Sequence, residues 1–299
     1  MTELQTDLSN LTALARQLRL DVLDATTQVA SGHVSSSYSC VEIMTALYFG
    51  GILRYRPSEP DWPERDRFIL SKGHAAPVFY AVLARAGYFG LDELEGLRMV
   101  NRKAEGHPVE KKLPGIETTS GSLGKGISVG LGHVLGGRLN NLDYRIYVLL
   151  GDGECQEGQI WESAMAASHF RAGNLVAIVD YNKYQESGPV SREVALEPFV
   201  QKWQSFGWYV EEVDGHDIGA LTEALTSVSQ PLTHPLTRVT HQISRVKHGV
   251  RQSGQPSVIL AHTVKGKGVS FVESDYHWHG KALSPDQARQ AREEITCRR

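Results

Sequence analysis

The sequence has little of what marks a secreted, membrane-spanning or nucleic-acid-binding chain. It holds three cysteines, Cys40, Cys155 and Cys297, with no C-x-x-C spacing among them. That argues against a disulfide framework and for a reducing compartment, with the cytoplasm as the expected location. No apolar run approaches the length of a membrane span, and the first ten residues lack the charged-then-apolar layout of a secretory signal. The net charge of −3 comes from scattered groups, so there is no electrostatic footprint for nucleic acid. Internal repeats, low-complexity tracts and a linker are also missing. What remains is an ordinary globular composition, 41% hydrophobic and 22% charged over 299 residues, enough to bury a sizeable core.

The informative segment runs from Arg145 to Asn182. Arg145–Leu150 (RIYVLL) reads as a buried strand. Gly151-Asp152-Gly153-Glu154 follows it. Ile160, Ala164, Ala167 and Phe170 then repeat at helical spacing across Gln159–Phe170. Asn174–Asp180 (NLVAIVD) reads as a second strand of the parallel, doubly buried kind, ending in Tyr181-Asn182-Lys183-Tyr184. Ligands of open α/β sheets bind outside the carboxyl ends of strands, where Asp152 and Asn182 both fall. Magnesium combines one or two carboxylates with phosphate oxygens and water. Asp152 offers an anionic oxygen, Asn182 its amide carbonyl, and the turn at Tyr184 a backbone carbonyl. Gly151 and Gly153 permit a sharp turn and close approach to a phosphate, and a helix starting after Cys155 aims free N–H groups at the same anion. Alone, Gly-Asp-Gly reads as an ordinary strand-ending turn; the paired NLVAIVDYN segment favours the ligand reading.

The whole block, GDGECQEGQIWESAMAASHFRAGNLVAIVDYN, resembles the thiamine-diphosphate motif of transketolases. Further signatures appear in the family's order: Ser31-Gly32-His33, Ser71-Lys72-Gly73-His74, Gly106-His107-Pro108, Pro114–Gly126, Asp214-Gly215-His216-Asp217 and Trp278–Ala282. The resemblance covers about Leu11 to Leu283. It implies an α/β fold, a mostly parallel sheet flanked by helices on both faces, as in the family's diphosphate-binding domain. It further implies thiamine diphosphate as cofactor, held with Mg2+ or another divalent cation such as Ca2+ or Mn2+. The metal ligands it implies are Asp152, Asn182 and Tyr184. His74, Gly121, Ser122, Leu123, Gly153, Glu154 and Asn182 are implied at the cofactor. His33, His74, His107 and His279 would line the channel to the donor sugar, while His216 reads as a loop-stabilising residue. Glu157, with Glu162, matches glutamates of an acid network that crosses the subunit interface; the alternative is a pair of solvated helix carboxylates. Ser122 stands where many members have proline, which keeps a backbone donor that proline lacks. Lys265 and Lys267 read either as phosphate contacts or as ordinary exposed lysines.

Everything matched belongs to the family's first domain, and full-length transketolases continue into a pyrimidine-binding domain. The expected reading is therefore a single domain, residues 1–299, forming the N-terminal subunit of a split transketolase. A separately encoded C-terminal subunit would supply the pyrimidine-binding domain, and two copies of each chain would complete the assembly. The reaction implied is transfer of a two-carbon ketol unit from a ketose or ketose phosphate to an aldose. Alternatives are a deoxyxylulose-phosphate synthase-like reaction, a specialised enzyme of secondary metabolism, or a regulatory subunit that kept the fold. Gln230–Gln255 has no counterpart in ordinary transketolases and reads as an insertion, with Val239, Ile243, Val246 and Val250 at helical spacing.

Elsewhere, Leu11, Leu14, Leu18 and Val22 form a helical stripe with Ser9 or Asn10 as N-cap. Ser31–Ser37 reads as a turn. Helices are expected at Val41–Tyr48, Ala76–Ala86, Gly126–Leu139 and Glu197–Phe206. Strands are expected at Phe68–Leu70, Trp208–Val213 and Pro256–His262, and Glu105–Gly124 reads as a long functional loop.

Overall fold

The structure is a computed structural model that describes residues 7–230 and 244–297. In chain order its elements are α1 (Leu8–Gln28), α2 (Val34–Tyr38), α3 (Val41–Phe49), β1 (Arg67–Leu70), α4 (Ala76–Arg85), α5 (Asp92–Glu95), α6 (Gly126–Leu139), β2 (Ile146–Gly151), α7 (Gly158–His169), β3 (Leu175–Tyr181), α8 (Val190–Glu193), α9 (Phe199–Ser205), β4 (Tyr209–Asp214), α10 (Ile218–Ser229), β5 (Arg245–His248), β6 (Ser257–His262) and α11 (Pro285–Cys297). The strands form one sheet in the order β1-β2-β3-β6-β4-β5, parallel except for β5.

Strands buried on both sides need apolar residues at every position rather than at alternate ones, and the burial of β2 and β3 is complete along their length. Period-two alternation then sorts their side chains. Tyr147, Leu149, Val176, Ile178 and Ile259 join the core under α1, α3, α4 and α10. Ile146, Val148, Leu150, Ala177, Val179 and Leu260 join the opposite core with Trp203 and Trp208, covered by α6, α7 and α9. The α/β expectation is therefore met, with helices on both faces. Among the described residues no helix is long and apolar enough to cross a membrane.

Four expectations need correction. Asp7, rather than Ser9 or Asn10, caps α1: its carboxylate accepts from the Ser9 amide at 3.0 Å and the Ser9 hydroxyl at 2.8 Å. The Ser-rich stretch that reads as a turn contains α2, every residue of which is buried, so tertiary burial overrides serine's modest helix propensity. Val246 lies not in a helix but in β5, paired antiparallel with β4, because the open edge of β4 presents backbone groups that need partners. Val246 and Val250 are exposed, while Val239 and Ile243 lie outside the described residues. Lys265 is buried, 1% exposed. The described part of the 230–255 segment is also tied down: Arg251 donates to the carbonyls of Val228 and Gln230, and the Gln255 amide to that of Gly207.

The glycine-rich α6 lies close to the sheet, as its composition leads one to expect. A Cβ on Gly130 would stand 3.0 Å from Val148 and 3.1 Å from Leu175, whereas one on Gly132 would meet nothing within 4 Å. Gly132→Ala is expected to stabilise the chain by about 0.5–1 kcal/mol through lower backbone entropy in the unfolded state. Gly130→Val is expected to cost about 1–3 kcal/mol by overpacking. Urea unfolding of the two variants checks both signs, and a neutral Gly130→Val would contradict the close helix–sheet contact.

Candidate active site

The register of β2 and β3 places the candidate ligands. Gly151 pairs with Asp180 across the two strands, so Asp152 and Asn182, each just past a strand end, emerge side by side at the carboxyl edge. Asp152 is 1% exposed and Asn182 5% exposed. The Asp152 carboxylate accepts from the Gly153 amide at 2.8 Å and the Lys183 amide at 2.5 Å. The second contact is possible because Lys183 adopts a left-handed conformation, φ 71°, which bends the chain after Asn182 back toward β2. Asn182 Oδ1 accepts from the Tyr184 amide at 3.0 Å, an Asx turn that fixes the loop. Asp152, Asn182 and Tyr184 line one cavity of about 230 Å³ together with Gly153, Glu154, Glu157, Leu123, His74 and His279.

Burial, and next the charge of nearby Asp180, push the Asp152 carboxyl up to about 7. A buried acid without a counter-charge of its own is what a divalent cation would satisfy. The neighbouring Lys72 ammonium is already engaged: its Nζ pairs with Asp180 and donates to the Ser36 carbonyl at 3.1 Å. Burial pushes the Asp180 carboxyl up, but Lys72 and hydroxyl donors outweigh it and hold the group below its ordinary range.

Glu154 is placed as an organiser of the loops rather than as a free ligand. Its carboxylate accepts from the Ser71 hydroxyl, the Gly124 amide at 2.9 Å and the Gly151 amide at 3.0 Å. Burial raises its pKa despite those donors. One side chain thus joins the loop after β1, the Gly121–Gly124 segment and the end of β2. Gly121 sits at φ 131°, and a Cβ there would stand 3.2 Å from the His107 ring. A Cβ on Gly153 would stand 2.9 Å from that of Gln185, so a larger residue would close the cradle. The Ser120 hydroxyl, beside Gly73 and Gly121, is buried and has no hydrogen-bond partner.

The four histidines meet. His33 lies with its ring centroid 5.4 Å from His74, 6.2 Å from His107 and 5.2 Å from His279, and His74 and His279 are 5.2 Å apart. Burial, then the Arg98 charge, lowers His33 to about 4. Burial, then Lys265, lowers His279 to about 3. His74 is held well below its ordinary value by burial and Lys72, and His107 is lowered by burial and Arg98. All four imidazoles are therefore neutral near pH 7, each with one donor and one acceptor nitrogen. Lys265 Nζ stands 3.1 Å from His279 Nδ1, and burial and Lys72 depress the amine to about 8.

Not every expected residue joins this cluster. The Ser122 side chain is exposed and stands outside the cavity lining, while Leu123 is part of it. Glu157 is exposed at the start of α7 on the cavity rim, and Glu162 is exposed farther along the helix. His216 bonds Glu42 at 2.9 Å and the Val264 amide at 2.8 Å, a loop-stabilising position as expected. It borders a larger cavity of about 640 Å³ with Arg16, Arg19 and Lys267. There Arg19 is already paired with Glu42 at 2.7 Å, and the volume carries none of the strand-end ligands.

Comparison with known proteins bears directly on this geometry. Residues 11–298 match the family model described as transketolase, thiamine diphosphate binding domain. The chain belongs to the transketolase N-terminal family. It is 37% identical over 295 residues to the 6-deoxy-6-sulfo-D-fructose transketolase subunit of a Clostridium strain, covering 99% of this chain and 98% of that protein. It is 37% identical to one of the named subunits of the apulose-4-phosphate transketolase of Actinobacillus succinogenes, covering 95% and 94%. Human transketolase is 38% identical over 97% of this chain, which spans only 43% of that protein. The transketolase structure from Campylobacter jejuni superposes with a TM-score of 0.84 at 26% identity, over 96% of this chain and 43% of that one. This transketolase-family chain thus matches two separately named subunits end to end and the larger enzymes in less than half their length.

Sequence reasoning missed Lys72, Asp180, Ser39 and Thr263 as a buried polar group behind the site. Two signals were present: a lysine inside the Ser71–His74 signature and an acid closing the otherwise apolar run NLVAIVD. Charged residues are seldom fully buried unless paired.

The neutral histidines make stability depend on pH. In His33 and His279 the folded-state pKa lies below the ordinary 6.5. The unfolded chain therefore takes up more protons, and stability falls as pH drops through about 6.5 toward 4. A His33→Gln/His279→Gln variant is expected to lose less unfolding free energy than the parent between about pH 7 and 5 in urea titrations. Equal losses would contradict the assignment of buried neutral imidazoles.

Proposed function

We propose that this chain is the diphosphate-binding half of a two-component, thiamine-diphosphate-dependent transketolase. It transfers a two-carbon ketol unit from a ketose or ketose phosphate to an aldose, and acts only with a separately encoded pyrimidine-binding subunit. The observation that carries the reading is a shared cavity: Asp152, Asn182 and Tyr184 at the strand ends open into the space that His74 and His279 border.

The donor set fits a hard cation and its diphosphate. Oxygen ligands from one carboxylate, one amide and a backbone carbonyl suit magnesium, which fills its remaining positions with phosphate oxygens and water; calcium or manganese fits the same ligands. Asp152, Asn182 and the Tyr184 carbonyl would hold it. Gly153 and the Gly121–Leu123 segment would take the diphosphate, with Glu154 ordering both loops. Thiamine diphosphate supplies the electron sink for breaking a carbon–carbon bond beside a carbonyl. This chain's part is to orient the sugar and to handle its protons. Neutral His33, His74 and His107 can each donate to one hydroxyl and accept from another, and relay a proton between them, while His279 is left to donate from Nε2. Lys265, next to His279 Nδ1, favours the tautomer with its lone pair on that nitrogen.

Residues 1–299 form a single diphosphate-binding domain in this reading. Glu157, exposed on the cavity rim, would meet a second copy of the chain, and two copies with two partner chains make the complete assembly. The buried, unpaired Cys40 and Cys155 are compatible with a reducing cytoplasm. A narrower form of the same reading is a specialised enzyme acting on an unusual sugar. The two end-to-end relatives favour it, since their names specify 6-deoxy-6-sulfo-D-fructose and apulose 4-phosphate.

Two outcomes are expected. The purified chain alone is without ketol-transfer activity, and adding the partner subunit restores it; robust turnover by the lone chain would refute the split assignment. Asp152→Ala removes thiamine diphosphate binding from the reconstituted complex in calorimetric titration, and unchanged affinity would contradict the ligand role.

A further inference from the structure

Strand β3 carries a charged residue, Asp180, into a fully buried position, and four donors converge on it. Lys72 Nζ and Ser39 Oγ, the latter at 2.5 Å, donate to Oδ2, and Thr263 Oγ1 donates to Oδ1. The fourth donor is Asn182 Nδ2, at 3.3 Å from Oδ2. These groups come from just beyond β1, α2, β6 and β3. Stability does not account for such a pair. Desolvating two ions offsets most of their attraction, and apolar residues of similar volume in place of a buried pair are often neutral or stabilising. Lys72 is itself 1% exposed.

The contact with Asn182 suggests what the pair does. An ionised carboxylate only accepts hydrogen bonds, so the amide facing it must present its NH2 group. The Asn182 carbonyl oxygen is then turned to the opposite side, where the Tyr184 amide meets it and where Asp152 lines the same cavity. An amide in place of Asp180 would donate as readily as it accepts, and the distinction between the two ends of Asn182 would be lost.

The geometry points to Asp180, its charge held by Lys72, as the positioning residue that turns the Asn182 carbonyl oxygen toward a divalent cation in this cavity. The inference rests on the cation–diphosphate reading above. Asp180 itself stays behind the ligands and touches neither cation nor substrate.

The test is calorimetric titration of Mn2+ with thiamine diphosphate into the complex reconstituted with the partner subunit, alongside thermal unfolding of the full chain without ligand. Asp180→Asn is expected to weaken binding about 10- to 100-fold, the usual cost of removing a residue that orients a metal ligand. The Lys72→Met/Asp180→Asn variant leaves no unpaired buried charge, so it is expected to recover the unfolding midpoint while binding stays weak. It carries the test alone should the single variant fail to fold. Binding that recovers together with stability would assign the pair a structural role only and overturn the inference, as would unchanged affinity in Asp180→Asn. Absence of binding in the unmodified complex, matched by Asp152→Ala, would instead remove the cation–diphosphate reading and this inference with it.

Discussion

A parallel sheet covered on both faces leaves its polar chemistry a single exit, and the site follows from that constraint. Side chains along β2 and β3 are buried to the last residue, and all but Asp180 are apolar or aromatic, because neither face meets water. Polar side chains can open into a cavity only where the strands stop. Gly151 and Asp180 are register partners, so the turns that follow bring Asp152 and Asn182 to a common wall. Glu154 and Asp180 then stitch those turns together from below, each collecting donors from three or more separate segments.

The histidine cluster depends on the same constraint in a different way. Four imidazoles from four loops converge above the strand ends in company with Lys72, Lys265 and Arg98. Burial and those positive charges act in one direction, against the imidazolium form. The cluster therefore offers neutral donors and acceptors suited to sugar hydroxyls. Positive charge beside the rings resides on Lys72, Lys265 and Arg98 rather than on the imidazoles.

Much of this was legible in the sequence, for local reasons. The bounds of α6 are those expected, Gly126–Leu139, and β2 and β3 lie within a residue of expectation, because long apolar runs bounded by glycine or polar turns signal buried elements. Histidine beside glycine in several loops pointed to imidazoles gathered in one cleft, and the rings do converge. What the sequence hid depends on partners far along the chain. Lys72 meets Asp180 across 108 residues, a pairing that no spacing rule exposes. Helix α2 forms in a serine-rich stretch only because it is buried, and β5 forms because β4 has an open edge. Lys265 is inside for the same reason, drawn toward Ser36 and His279.

The central claim is that the ends of β2 and β3 jointly coordinate one divalent cation. Anomalous diffraction at the manganese edge, from crystals of this chain grown with Mn2+ and thiamine diphosphate, tests it most directly. The account requires a single strong peak bounded by Asp152, the Asn182 side-chain oxygen and the Tyr184 carbonyl, with diphosphate density against it. A peak in the Arg19–His216 cavity instead, or diphosphate bound with no metal between those residues, would contradict it.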